Sequence, residues 1–475
     1  MAVFLSLSAC ASLESDNGQN GPAVVPPQAP RATGVESEDA REHKRLVALF
    51  GGEYRDPTLE HYLNDMLGKL SAAASDQGLI YHVTVLNTPA VNAFALPSGN
   101  LYITRGLLAL ANDGSEVAAV MAHEIGHVTA KHASQRAELE KRSAVITKAA
   151  AVVQNKAKSE EVQVSQALTL ASFSRLQELE ADKIGVNVIG HAGYDPYGAS
   201  RFLQSLDRSA ALRSDMLGQK SGADNKMDIM ATHPSTPERI NRAIDEARMI
   251  GAPGTGSPDR DGFLNAINGM IYGDDPAEGY IRGTHFIHPK LGFAFVAPDG
   301  FNLENTARAV LGTNEDSTEA LRLDSVRIPT TTSLESYMTA GWVDGLDKNS
   351  IETVTVNGLP AATAFATSGD WAFRIAAIRL GNDVYRLIFA TRAMTPERAE
   401  RFRASIDSFR RVNGEEAEKV KPLRITIVTA TASDTVETLG SHMTIDRPVE
   451  NFAIINEIEP GGELKAGSKY KLITE

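Results

Sequence analysis

Residues 121–128 read Met-Ala-His123-Glu124-Ile-Gly-His127-Val. Two histidines four apart on a helix are separated by about 400°, or roughly 40° around the axis, so both imidazoles leave one face. At about 6 Å apart, both rings can reach one ion with bonds of about 2.0–2.1 Å. Glu124 stands beside that face, placed to take a proton from a metal-activated water. Ala122, Ile125 and Val128 make the surrounding helix apolar, and a buried His-Glu group needs a partner to offset its desolvation. Zinc, one ion per chain, would need a third protein ligand and keep a fourth corner for water. Downstream, Ser174-Arg175-Leu176-Gln177-Glu178-Leu179-Glu180-Ala181-Asp182 offers candidates. Glu178 and Asp182 share a helix face, and Glu180 points about 160° from either. Helical geometry favours Glu178 as the ligand and Asp182 as the acceptor that fixes a ligand histidine's tautomer. Glu180 is the alternative ligand. His132, five residues past His127, should point about 140° away on a continuous helix and is expected not to ligate.

These residues need two helices and a strand to place them. Asp113 is a candidate cap for a helix from about Ser115 past Lys131, with Glu116 three residues on. A second helix is expected through Ser165 to Gly190, ended by Gly193-Tyr194-Asp195-Pro196, and a third begins at Thr236-Pro237. Arg41–Leu70 has helical periodicity, and Leu79–Leu86 reads as a strand. Short strands are expected at Val91–Leu96 and Leu101–Thr104.

Four stretches together resemble the gluzincin metallopeptidases of family M48, which contains the CAAX prenyl endopeptidase and the bacterial HtpX and BepA peptidases. They are Asn92-Ala93-Phe94-Ala95-Leu96 running on to Gly106, the His123–His127 motif, Glu178-x-x-x-Asp182, and His233-Pro234-Ser235-Thr236-Pro237-Glu238-Arg239-Ile240. The resemblance spans roughly residues 41–250. It implies zinc held by His123, His127 and Glu178, with Glu124 as general base. It implies that Asn92, Ala93, Phe94, Ala95 and Leu96 form an edge strand that pairs with an extended peptide. It also implies that His233 takes zinc's fourth position and holds the enzyme latent; by its own sequence, His233-Pro234 could equally cap the following turn. Arg239 is expected either to stabilise the oxyanion or to pair with Asp182. HtpX-type relatives are integral membrane proteins, whereas no apolar run of this sequence reaches the roughly 18 residues a membrane helix needs, so it fits the soluble, exported branch; BepA-type relatives carry helical repeats where this chain has strands.

The chain has 475 residues and a net charge of −13, from 47 Lys plus Arg against 60 Asp plus Glu. That balance disfavours nucleic acid and electrostatic docking on anionic lipid. A single cysteine, Cys10, excludes an intrachain disulfide framework, a four-cysteine zinc site and an iron–sulfur cluster. Leu7-Ser8-Ala9-Cys10 resembles a lipobox, so residues 1–10 are expected to be a lipoprotein-type signal with Cys10 lipidated. The Pro-rich residues 11–40 then form a disordered tether. Without Asp at position 11, the family rule points to the periplasmic side of the outer membrane.

The expected fold class is α+β. A mainly helical peptidase domain with a small edge-strand sheet covers 41–252, followed by a linker at 253–262. A small α/β domain, or an α+β one, covers 263–412, then a linker at 413–422. Residues 423–475 resemble a LysM module, marked by Asp434-Thr435 and Asn456, and the resemblance implies binding of peptidoglycan. The expected function is cleavage of unfolded or misassembled envelope proteins. Alternatives are a peptidoglycan endopeptidase and a non-catalytic envelope chaperone or scaffold.

Overall fold

The computed structural model describes residues 37–74, 78–138, 173–216, 229–306, 309–314 and 316–475. Cys10, the tether up to residue 36 and the start of the expected helix at 165–172 lie outside them. The chain is α+β. It opens with α1 (Glu38–Leu49) and α2 (Pro57–Ala73), then β1 (His82–Leu86), β2 (Ala93–Ala95) and β3 (Asn100–Thr104). These strands form one sheet in the order β1-β3-β2, with β1 parallel and β2 antiparallel to β3, so β2 is an edge. Next come α3 (Arg105–Leu110), α4 (Gly114–Thr129), α5 (Arg175–His191), α6 (Gly198–Met216), α7 (Ile229–Thr232), α8 (Pro237–Ile250) and α9 (Arg260–Ile267).

Local chemistry sets the helix starts. The Asp113 side chain accepts from Glu116 N at 3.0 Å. Ser174 and Gln177 form a reciprocal capping box at the head of α5. Thr236 caps α8, with Pro237 in its first turn. Each satisfies backbone donors that a helix start otherwise leaves open.

One apolar core joins α2, the sheet, α4 and α6 through Leu63, Leu67, Ile103, Val117, Ile125 and Phe202. It also takes in Phe263, Leu264 and Ile267 of α9, so the expected domain boundary at 263 falls inside this core rather than at its edge. The segment expected as linker is docked. Ser115 N donates to Pro258 O at 3.1 Å, Asp195 N to Ser257 O at 3.1 Å, and Tyr62 Oη to Asp259 Oδ2 at 2.9 Å. Its Gly and Pro content marks a path that hugs another surface closely: a Cβ at Gly256 would meet Tyr194 O at 2.3 Å.

Residues 271–412 follow a different pattern. After β4 (Ile271–Tyr272) come β5 (Tyr280–Arg282), β6 (His285–His288), β7 (Phe293–Val296), β8 (Phe301–Asn305), β9 (Val310–Asn314) and β10 (Glu319–Arg327). Helix α10 (Leu334–Met338) precedes β11 (Glu352–Val356), β12 (Leu359–Ser368), β13 (Trp371–Leu380) and β14 (Asp383–Thr391). Then come α11 (Pro396–Asp407), β15 (Arg410–Arg411) and α12 (Gly414–Lys419). The sheets run β11-β12-β13-β14-β10-β9-β8 and β15-β7-β6-β5, with every pairing antiparallel. Of the two classes expected, α/β or α+β, the unit is therefore α+β. A phenylalanine-rich core that includes Phe293, Phe389, Phe402 and Phe409 fills one face.

The chain ends with β16 (Leu423–Thr429), α13 (Val436–Gly440), α14 (Pro448–Ile455) and β17 (Lys469–Thr474). Strand β16 pairs with both β17 and β4. Ile425, Phe452, Ile455, Leu472 and Ile473 enter the same core as α4. The fully buried Lys471 reaches into the helical unit that opens the chain. Its Nζ donates to Ala109 O at 2.9 Å, and also to Ala111 O, at the carbonyl end of α3. Burial, with Arg260 nearby, pulls this amine down to about 7. A cation there faces the negative end of the helix dipole. Lys471→Met would leave buried carbonyls unpaired, at a cost of roughly 2 kcal/mol. Denaturant unfolding of the full chain should show that loss in the transition that also reports α4; an unchanged midpoint would contradict it.

Candidate metal centre

The close crossing of α4 and α5 builds the site. A Cβ on Gly126 would lie 3.0 Å from Ala181 O, and one on Gly185 would lie 3.1 Å from His123 N. Two glycines, one on each helix, thus let the backbones touch where larger residues would hold them apart. Across this contact α4 presents His123, Glu124 and His127, and α5 presents Glu178 and Asp182. His233 enters from the end of α7, where its N–H donates to Ile229 O at 2.7 Å.

One donor atom from each of His123, His127, Glu178 and His233 lies within 4.8 Å of the other three. His123 Nε2 is 3.0 Å from His127 Nε2 and 3.3 Å from His233 Nδ1. Glu178 Oε1 is 3.0 Å from His233 Nδ1 and 3.5 Å from His127 Nε2. Bonds of 2.0–2.1 Å to a tetrahedral ion imply donor separations of roughly 3.3–3.4 Å. The donor set fits such an ion chemically as well as in size. Imidazole lone pairs aimed at one another repel, and the buried Glu124 Oε1 has no hydrogen-bond partner. Three buried carboxylates, Glu178, Asp182 and Glu124, share the site with one buried guanidinium, Arg239, which pairs with the first two, so a divalent cation would balance the charge.

A buried frame holds the donors. Asp182 Oδ1 is 2.9 Å from His123 Nδ1. Arg239 grips Asp182 with two bonds of 2.7 Å, donates to Pro234 O at 3.0 Å and reaches Glu178 Oε2 at 2.8 Å. Burial opposes ionisation of Asp182, but hydrogen bonds from Arg239 and His123 bring it down to about 2. Burial likewise opposes charge on Glu178, yet its hydrogen bonds with His127 and His233 hold it well below the usual carboxylate range. Burial raises Glu124 from its ordinary value. It also pulls His127 well below the ordinary imidazole value. Both glutamates are thus suited to their places: one stays an anionic donor, the other a better base.

The structure brings together His123, Glu124, His127, Glu178, Asp182, His233 and Arg239. Of the two alternatives for Arg239, the geometry shows the pairing with Asp182. Glu180 stands apart, half out in solvent, and its Oε2 meets His132 Nε2 at 3.3 Å. The expected 140° separation of His132 fails because α4 stops at Thr129. Lys131 takes a left-handed conformation (φ 56°), and a new helical stretch starts at residue 132. That break returns His132 to His127, with the Nδ1 atoms 2.9 Å apart. Phe173, which no spacing argument indicated, stacks on the His127 ring at 4.0 Å. Asn92 is buried beside the sheet, followed by edge strand β2, and Val91 O accepts from Ile229 N at 2.9 Å.

Residues 53–247 match the family model of peptidase family M48. Over 205 residues the chain is 31% identical to the Beta-barrel assembly-enhancing protease of Escherichia coli (strain K12), covering 41% of this chain and 40% of that protein. It is 34% identical over 189 residues to the Mitochondrial metalloendopeptidase OMA1 of Arabidopsis thaliana, covering 38% and 36%. With the protein of that name from Schizosaccharomyces pombe it shares 30% identity over 209 residues, covering 43% and 58%. The chain therefore spans less than two thirds of the length of each of these relatives.

The glycine contact gives a test that touches no donor. Gly126→Val should push α5 from α4, cost roughly 1–3 kcal/mol of stability and weaken zinc binding at least about tenfold. Chelator competition on the folded variant checks this; wild-type affinity would contradict it.

Proposed function

We propose, from the match of residues 53–247 to peptidase family M48, that the chain is a zinc-dependent endopeptidase of the cell envelope that cleaves unfolded or misassembled proteins. One observation carries the reading: Glu124 sits buried and without a hydrogen-bond partner on Oε1, beside a convergent three-histidine, one-glutamate donor set. Zinc held by His123, His127 and Glu178 would polarise the scissile carbonyl and acidify a water. Glu124 takes the proton from the attacking water and hands it to the leaving amine. Asp182 fixes His123 through Nδ1, and Arg239 keeps Asp182 anionic and aimed. An extended substrate pairs with the free edge of β2, Asn92 to Leu96, through backbone hydrogen bonds that make little demand on its sequence.

His233 Nδ1 lies 3.3 Å from His123 Nε2 and 3.0 Å from Glu178 Oε1, spacings like those among the other donors. This supports a reading of His233 as a latency plug in the corner that water needs. The envelope assignment draws on the likeness to the Beta-barrel assembly-enhancing protease. We further propose lipidation at Cys10 and retention at the outer membrane; no helix among the described residues is long and apolar enough to cross a membrane. The strand–helix–helix–strand order of residues 423–475 is compatible with a LysM-like module that binds peptidoglycan.

Glu124→Gln should keep one zinc per chain and lose casein hydrolysis by roughly a thousandfold. Undiminished turnover would remove Glu124 from the mechanism. Release of muropeptides from purified sacculi, with indifference to casein, would replace the substrate class. His233→Ala should raise basal casein hydrolysis; a fall would assign His233 to the reaction instead.

A further inference from the structure

His127 has two ring nitrogens, and the structure gives them opposite surroundings. Nε2 faces the donor set, 3.0 Å from His123 Nε2 and 3.5 Å from Glu178 Oε1. Nδ1 faces away, 2.9 Å from Nδ1 of the fully buried His132. His132 Nε2 then meets Glu180 Oε2 at 3.3 Å, and Glu180 has a side chain 60% exposed.

We propose that His132 and Glu180 are positioning residues, an orienting arm that fixes His127 in the tautomer needed to hold the metal. Two ring nitrogens 2.9 Å apart cannot both carry hydrogen, and two bare ones would repel. With His127 Nε2 given to a metal, its Nδ1 carries the hydrogen and donates. His132 must then accept at Nδ1, which places its own hydrogen on Nε2, aimed at the Glu180 carboxylate. One arrangement of hydrogens satisfies the whole chain, from a solvated carboxylate to the metal position.

The two ligand histidines are thus held differently. His123 leans on Asp182, a buried carboxylate clamped by Arg239. His127 leans on an imidazole, and Phe173 stacked at 4.0 Å fixes the plane of its ring. The left-handed Lys131 makes this possible by turning His132 back toward the motif. An orienting partner of this kind is worth about 10–100-fold in metal affinity.

The inference rests on the metal-site reading given above but can be tested apart from proteolysis. Zinc affinity of the full-length chain is measured by chelator competition, with the thermal unfolding of the zinc-free protein as the folding control. His132→Leu should lose about 10–100-fold in affinity. His132→Gln, whose side-chain oxygen can still accept from His127 Nδ1, should recover most of it. Glu180→Ala changes a largely solvated residue and should stay folded, with a loss of a few-fold. If His132→Leu does not fold, His132→Gln and Glu180→Ala decide the matter. Wild-type affinity in folded His132→Leu, equal losses in the Leu and Gln variants, or no effect of Glu180→Ala would overturn the proposal. If these variants behave as expected while Glu124→Gln still cleaves casein, the arm stands and the peptidase mechanism falls.

Discussion

Three imidazole nitrogens and a carboxylate oxygen held around one point inside the protein form the constraint on which the rest of the structure depends. Left alone, these groups would separate or hydrate, since buried lone pairs and charges are costly without partners. The fold prevents both. Gly126 and Gly185 remove the side chains that would keep α4 and α5 apart. Asp182, clamped by Arg239, and His132, linked to Glu180, hold the two motif histidines from behind. Arg239 also touches Glu178, so a single guanidinium aligns two carboxylates from α5. What remains is an excess of negative charge and inward-facing donors that a divalent cation would satisfy.

That centre is embedded in a core larger than the segment that matches the family model, residues 53–247. Phe263 of α9 and Phe452, Leu472 and Ile473 near the end of the chain pack with Val117 and Ile125 of α4. Arg105, buried at the head of α3, donates to Asn87 Oδ1 and to the carbonyls of Ile271 and Gly273, tying the edge-strand region to β4. Strand β4 pairs in turn with β16. The antiparallel unit between them has its own phenylalanine core and is inserted between parts of the first.

The chemistry was legible where it depends on spacing within one unbroken element. His123 and His127, or Glu178 and Asp182, are related by one helical turn, and the helix delivers them as expected. The helix starts at Asp113 and Thr236 follow from side chains that cap them, whereas α5 starts at its Ser174 cap rather than at the Ser165 expected. His132 was misplaced because a single left-handed residue, Lys131, breaks the periodicity, and Lys carries no sign of that conformation. Strand β12 carries little local signal, because its buried alanines, Ala361, Ala362, Ala364 and Ala366, lack the β-branched signature of strands and serve close packing. The Gly-Pro segment near residue 255 reads as a linker by composition, yet tertiary hydrogen bonds pin it. The contribution of α9 and of the final strands to the first core arises from contacts hundreds of residues apart, which no local pattern encodes.

X-ray absorption at the zinc edge on the metal-loaded, full-length chain addresses the centre most directly. The account predicts a four-coordinate shell of nitrogen and oxygen at about 2.0–2.1 Å, with scattering from three imidazoles, one of which is lost in His233→Ala. A shell with fewer than two imidazoles, or one unchanged when His123 and His127 are both replaced, would contradict it.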